Sequence, residues 1–347
     1  MLPSTRLVEC AGLKIRHALH PYWYGEVLSL FIIFSRIDSA FLCGLASGMT
    51  SRDKASGSRC PDPEEMMRSH LKSLVLSLCC SCLLAVPVFE ANAVVLSEQE
   101  TAAVFERTLS DRARFEKLGR AQGLRGEHLA VYVDAIVAMS RDKPLLDYMA
   151  RQLHQLGLTS VGEGRLPREQ SEEIATTVML VRNALATKGV RRLPVEDVEF
   201  FYQVAVEAMP QVPIEERALL YSGRMNPKLA VTSDRELFKW LSARNPSVMR
   251  RLYAVMQKAV DAEVNDYPPV VELTPQERAI AERLIQIAMK KRLSKMPPEA
   301  QQAIIEASVD QAHVSPADYC ALVEFVADCV FDIDGVGREW VLRMLLG

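Results

Sequence analysis

From Ser97 to the last residues, one kind of punctuation recurs. A Ser, Asp, Asn or Pro stands just ahead of a run whose apolar residues fall three and four apart. Side chains of that kind supply the hydrogen bonds or the fixed φ that open an α-helix, and the spacing lays one apolar stripe along it. Ser97-Glu98-Gln99-Glu100 reads as a capping box whose helix runs toward Gly119 or Gly123, and Ser233-Asp234-Arg235-Glu236 reads as a second. Helices are further predicted over about residues 127–140, 144–156 and 167–188. Others open at Pro194, at Pro213 (ending near Tyr221), at Asn245-Pro246, at Thr274-Pro275-Gln276-Glu277, at Pro297-Pro298, at Ser315-Pro316 and at Asp334.

The stripes name their expected core faces. After Pro194 they are Val198, Phe201, Tyr202, Ala205 and Met209, opposite Glu199, Gln203 and Glu207. After Pro246 they are Met249, Leu252, Tyr253, Met256, Val260 and Val264. The helix after Thr274 carries Ile280, Leu284 and Ile287, and the one after Ser315 carries Leu322, Phe325, Val326 and Cys329. Strand signals are scarce, Val270-Val271 being too short. The expected fold is an all-α, multi-helix globular bundle of about nine to eleven helices.

What precedes this region is of another kind. Met67 to Ala93 has the three parts of a secretory signal, beginning with a basic start at Arg68, His70 and Lys72. An uncharged run from Leu74 to Phe89 follows, and Ala91-Asn92-Ala93 then supplies the small residues a signal peptidase accepts. The apolar run is shorter than the roughly 20 residues a spanning helix needs. Cleavage after Ala93 makes Val94 the first mature residue and leaves no stable transmembrane span. Residues 1–66 show no apolar periodicity of a packed unit and read as a start assigned too far upstream, or as an extension. The mature 94–347 divides into an N-terminal helical segment to residue 164, a central domain 165–264 and a C-terminal domain 274–347. The Pro-containing stretch 265–273 links the last two.

Charge and cysteine content narrow the partners. Residues 94–347 hold 32 Lys and Arg against 36 Asp and Glu, spread along the chain, without the basic face of a nucleic-acid binder. Lys290-Lys291-Arg292 with Lys295 is the densest basic run, and it reads as cations favoured by a helix C-terminus. Only Cys320 and Cys329 lie beyond the signal. Nine residues apart on one helix, they are separated by about 13 Å, too far for a disulfide. Cys79-x-x-Cys82 falls within the apolar signal, where neither a redox nor a metal role fits.

Chemical motifs are thin. His128, His154 and His313 are scattered polar residues rather than a ligand set, and Asp332-Ile333-Asp334-Gly335 lacks the length and acids of a calcium loop. Ser140-Arg141-Asp142-Lys143 is followed by Pro144, which breaks the helix a Ser-x-x-Lys nucleophile requires. Gly162-Glu163-Gly164 and Gly335-Val336-Gly337 lack the remainder of a phosphate loop. No cofactor or metal is expected. The one catalytic candidate is Glu127, as the single carboxylate of a cell-wall hydrolase or lytic enzyme. The expectation is an exported helical protein of non-catalytic binding type, with a protein partner in the envelope or outside the cell and no nucleic acid. The alternatives are that lytic enzyme and a secreted effector or toxin.

Overall fold

The computed structural model describes residues 94–155, 160–161, 181–222, 227–309 and 314–346. The predicted signal segment 67–93 with Ala91 and Ala93, residues 1–66, the predicted helix start at Pro167, the Gly162-Glu163-Gly164 stretch and His313 lie outside them. Thirteen α-helices occur among the described residues. They are α1 (Glu98–Leu109), α2 (Arg112–Ala121), α3 (Gly126–Met139), α4 (Lys143–Gln155) and α5 (181–189). Then come α6 (Val195–Ala208), α7 (Ile214–Tyr221), α8 (Pro227–Ser242), α9 (Pro246–Val264), α10 (Pro275–Leu293), α11 (Pro298–Val309), α12 (Pro316–Phe331) and α13 (Gly335–Leu346). Short 3₁₀ turns, Val190–Arg192 and Met209–Gln211, follow α5 and α6. One small antiparallel pair sets Val94 against Val161 and Val95 against Ser160.

The fold is all-α, and the helix count exceeds the nine to eleven expected. One extra helix comes from a break at Ser110-Asp111. The Ser110 hydroxyl donates back to the Glu106 carbonyl at 2.6 Å, and the Asp111 carboxylate accepts the Arg114 N–H at 3.1 Å. Side chains that bond locally to the backbone end one helix and cap the next, so the predicted single helix becomes α1 and α2. A second difference is the start of α8. It opens at Pro227, six residues before Ser233, so Ser233 lies inside the helix and is not its cap. Proline at the first helical position is preset for this.

Other ends follow the sequence closely. Ser97 with Glu100 and Thr274 with Glu277 form reciprocal capping boxes. Asn245 and Ser315 accept first-turn N–H groups ahead of Pro246 and Pro316. On α6 the expected Val198, Phe201, Tyr202 and Ala205 are buried, Val204 and Ala208 join them, and Met209 is buried in the 3₁₀ turn that follows. Met249, Leu252, Tyr253, Met256 and Val260 of α9 are buried, with Val264 partly so. The expected face of α10 is rotated, however. Ile280 and Ile287 are exposed and Leu284 is half-buried, while Ala281, Ile285, Ala288, Met289 and Leu293 face inward.

The buried residues form a connected core. Helix α9 runs through one side, packed against α3, α4, α6, α8 and the Val190–Arg192 turn. The other side is α10 with α12 and α13, and α11 against α12. Helix α6 touches α9, α12 and α13, so it joins the two, and α7 lies along α12. At the α7–α12 contact the Arg217 guanidinium pairs with Glu324 and also donates to the Val212 carbonyl at 3.2 Å. At the end of α5, Gly189 sits directly on α9. A Cβ there would stand 1.8 Å from the Ala259 carbonyl oxygen, so only glycine permits this approach.

Candidate functional site

The chain leaves α9 through Asn265 and reaches α10 only at Pro275, and Arg192 holds this linker in place. Its guanidinium donates to Glu263 Oε2 at 3.0 Å, to Asp266 Oδ1 at 2.5 Å and to the Pro268 carbonyl at 3.0 Å. The Glu263 and Asp266 carboxylates raise the Arg192 pKa further, so the clamp stays charged at any ordinary pH. Arg343, a buried residue of α13, secures the same turn from behind. It donates to the Arg191 and Leu193 carbonyls, both at 3.3 Å, and pairs with Glu339 at 2.8 Å. Two arginines are thus spent on fixing backbone.

Between these clamps lies a cavity of about 280 Å³. Arg191, Arg278 and Arg343 line it, with Glu272 as its one acid and Val271, Leu273 and Leu346 as its apolar wall. Arg191 comes from the 3₁₀ turn, Arg278 from the first turn of α10, and Arg343 and Leu346 from the end of α13. Among the described residues, the guanidiniums of Arg191 and Arg278 make no hydrogen bond or ion pair. With Arg343 already paired to Glu339, Arg191 and Arg278 against Glu272 leave the lining a net charge of +1. Guanidinium forks of this kind recognise carboxylates and phosphates. A volume at the low end for ligand pockets suits a small acidic group.

This cavity was not legible as a motif. Its arginines lie 87 and 65 residues apart in the sequence. What the chain did show was a stiff linker at 265–273, which supplies three of the lining residues.

The residues singled out from the sequence are spread elsewhere. Glu127, in the first turn of α3, is 60% exposed and pairs with Arg250 Nη2 at 2.7 Å. Its neighbour His128 meets the Arg244 carbonyl through Nε2 at 3.0 Å, while His154 is exposed at the end of α4. Asp134 pairs with Arg112 at 2.7 Å, so the acids near His128 are each engaged separately. No cluster of three or more potential metal ligands occurs among the described residues.

Ser140 is buried and donates to the Val137 carbonyl at 2.7 Å, ending α3. Asp142 accepts the Leu145 N–H at 3.1 Å at the start of α4, so Ser140–Lys143 is a helix-to-helix turn. Arg292 of the basic run pairs with Asp328 at 2.5 Å and Asp332 at 3.1 Å, and Asp334 meets Arg338 at 3.5 Å. The Asp332–Asp334 loop is therefore tied to arginines. Cys320 and Cys329 are free and buried on α12. Burial pushes the Cys320 thiol up to about 11 and the Cys329 thiol up to about 12. Thiolate is the reactive form, so both are inert at neutral pH. No helix among the described residues is long and apolar enough to cross a membrane.

Comparison of the chain with protein-family models, with curated proteins and with solved structures gives no match to any of them.

Proposed function

We propose that this is an exported helical protein that works by binding, and that the cavity over Arg191 and Arg278 receives an acidic segment of a protein partner in the envelope or outside the cell. The observation that carries the reading is the pair of uncommitted guanidiniums held beside a clamped linker. A site whose backbone is fixed before the ligand arrives loses little ordering entropy on binding. Its positive lining steers an acidic partner and repels a basic one. The apolar residues Val271, Leu273 and Leu346 give such a segment a surface to rest on once its carboxylates are placed. The signal at 67–93 supports delivery to a compartment where such a partner would be met.

The test is a calorimetric titration of the purified native protein with a short peptide rich in Asp and Glu, and with its Asn and Gln counterpart. Saturable binding of the acidic peptide alone is expected, weakening as salt rises because exposed charges are screened. The double variant Arg191→Glu with Arg278→Glu should lose it. Equal binding of both peptides, undiminished binding by the double variant, or no binding of the acidic peptide would each overturn the reading.

A further inference from the structure

Away from the cavity, α5 buries a charge that the described protein does not balance. Arg182 is only 1% exposed and is among the largest fully buried side chains. Its Nε and Nη1 are both shut off from solvent with no hydrogen-bond partner. No carboxylate among the described residues pairs with it. The adjoining Asn183, 2% exposed, has both its amide oxygen and its amide nitrogen buried and unpartnered. Tyr253 of α9 lies 5.3 Å from the guanidinium carbon, measured to the ring centroid. That contact favours the cation across its face and leaves the Nε and Nη1 N–H groups unmet.

Three ways of relieving such a charge are closed. A lysine or histidine in this position would shed its proton, but a guanidinium does not. Moving outward is opposed by the docking of α5, since Gly189 rests against the Ala259 carbonyl with no slack. The ring of Tyr253 is itself fixed in an aromatic group with Tyr132, at 6.5 Å, and through it Phe238, at 5.5 Å. A buried cation with open N–H donors is costly, and an oxyanion supplies both the opposite charge and the acceptors.

We propose that Arg182 is the receptor of an internal oxyanion site, in which a small phosphate, sulfate or carboxylate taken up from solution meets the guanidinium above Tyr253. The site is separate from the arginine-lined cavity, shares none of its lining residues, and does not depend on the function proposed for it.

The experiment compares thermal unfolding of the native protein and of Arg182→Met in chloride, with phosphate, sulfate or acetate added at constant ionic strength. For the native protein the midpoint should rise with the logarithm of the anion concentration, by about 5–10 °C at 100 times the dissociation constant. Arg182→Met removes the uncompensated charge. It should therefore unfold higher than the native protein in chloride alone, and show only the shallow general rise that excluded salts give any protein. Which of the three anions acts distinguishes phosphate or sulfate from a carboxylate. An anion response equal in the two proteins, or a lower midpoint for Arg182→Met in chloride, would overturn the site. Should Arg182→Met fail to fold, native mass spectrometry of the wild-type protein refolded in phosphate or in acetate decides. One retained oxyanion per chain is expected, and none retained from either buffer rejects the proposal.

Discussion

Helices α9 and α10 have the same length, 19 residues, and both open on proline, yet only one of them uses the face its sequence suggests. In α9 the apolar residues make a stripe with charged Arg250, Arg251, Lys258 and Asp261 outside it, so a single orientation buries them. In α10 the apolar residues Ile280, Ala281, Leu284, Ile285, Ile287, Ala288 and Met289 occupy adjacent positions and outline two stripes about 100° apart. Local pattern does not choose between them. Tertiary fit does: the small Ala281 and Ala288 turn inward with Ile285, while Leu284 packs over Gly337 of α13. A Cβ on Gly337 would come within 2.7 Å of Leu284 Cδ1. An apolar stripe specifies a face only when polar residues bound it on both sides.

The largest expected effect is at the seat of α9. Gly189→Ala puts a methyl group into the Ala259 backbone, which cannot yield as a side-chain end can, and should cost about 3 kcal/mol or more in chemical denaturation. A stable, wild-type-like midpoint would mean that α5 does not dock there. Next come two truncations of equal chemistry on α10. Ile285, fully buried, should lose about 2–4 kcal/mol on replacement by Ala, whereas Ile287, 54% exposed, should change by no more than about 0.5 kcal/mol. The reverse order would restore the stripe that sequence alone suggested.

Smaller effects belong to the ends of helices. Thr274→Ala removes the hydroxyl of the α10 capping box and should cost about 1 kcal/mol. The Ser97 and Thr274 backbone N–H groups and hydroxyls hold Glu100 and Glu277 below the ordinary carboxylate value of 4.5. Their contribution is therefore complete above that value and fades as pH falls through the lower folded-state values. In an acid titration of the unfolding midpoint, the wild type should lose ground against Glu100→Gln with Glu277→Gln below about pH 4.5 and hold a constant lead above it. A lead that grows as pH falls would contradict the capping geometry. Smallest in energy is a reactivity test on α12. Cys320 and Cys329 should resist a thiol reagent at pH 8 until the protein unfolds, and prompt modification of either would show that its burial is wrong.

Much of the architecture was readable because it is written locally. Capping residues and N-terminal prolines fix where α1, α9, α10 and α12 begin, and they act within a few residues. The division at Ser110-Asp111 was missed because the apolar spacing continues across it, and only the local hydrogen bonds of two polar side chains end the helix. Ser233 misled for the opposite reason: a capping pattern is also an ordinary helical sequence when a start upstream has already been made. The site was the least legible part. Arg191 and Arg278 gain meaning from the linker that brings them to one cavity, and Arg182 from its burial, neither of which leaves a trace in local sequence. Glu127, the one catalytic candidate in the sequence, stands exposed beside Arg250.

Val94, the residue before which the proposed signal would be cut, pairs with Val161. The direct test of an exported binding protein is the intact mass of the native protein in each cell fraction. A species beginning at Val94, recovered from the envelope or the medium, is the predicted result. A full-length species confined to the cytosol would contradict it, and would move the search for the acidic partner inside the cell.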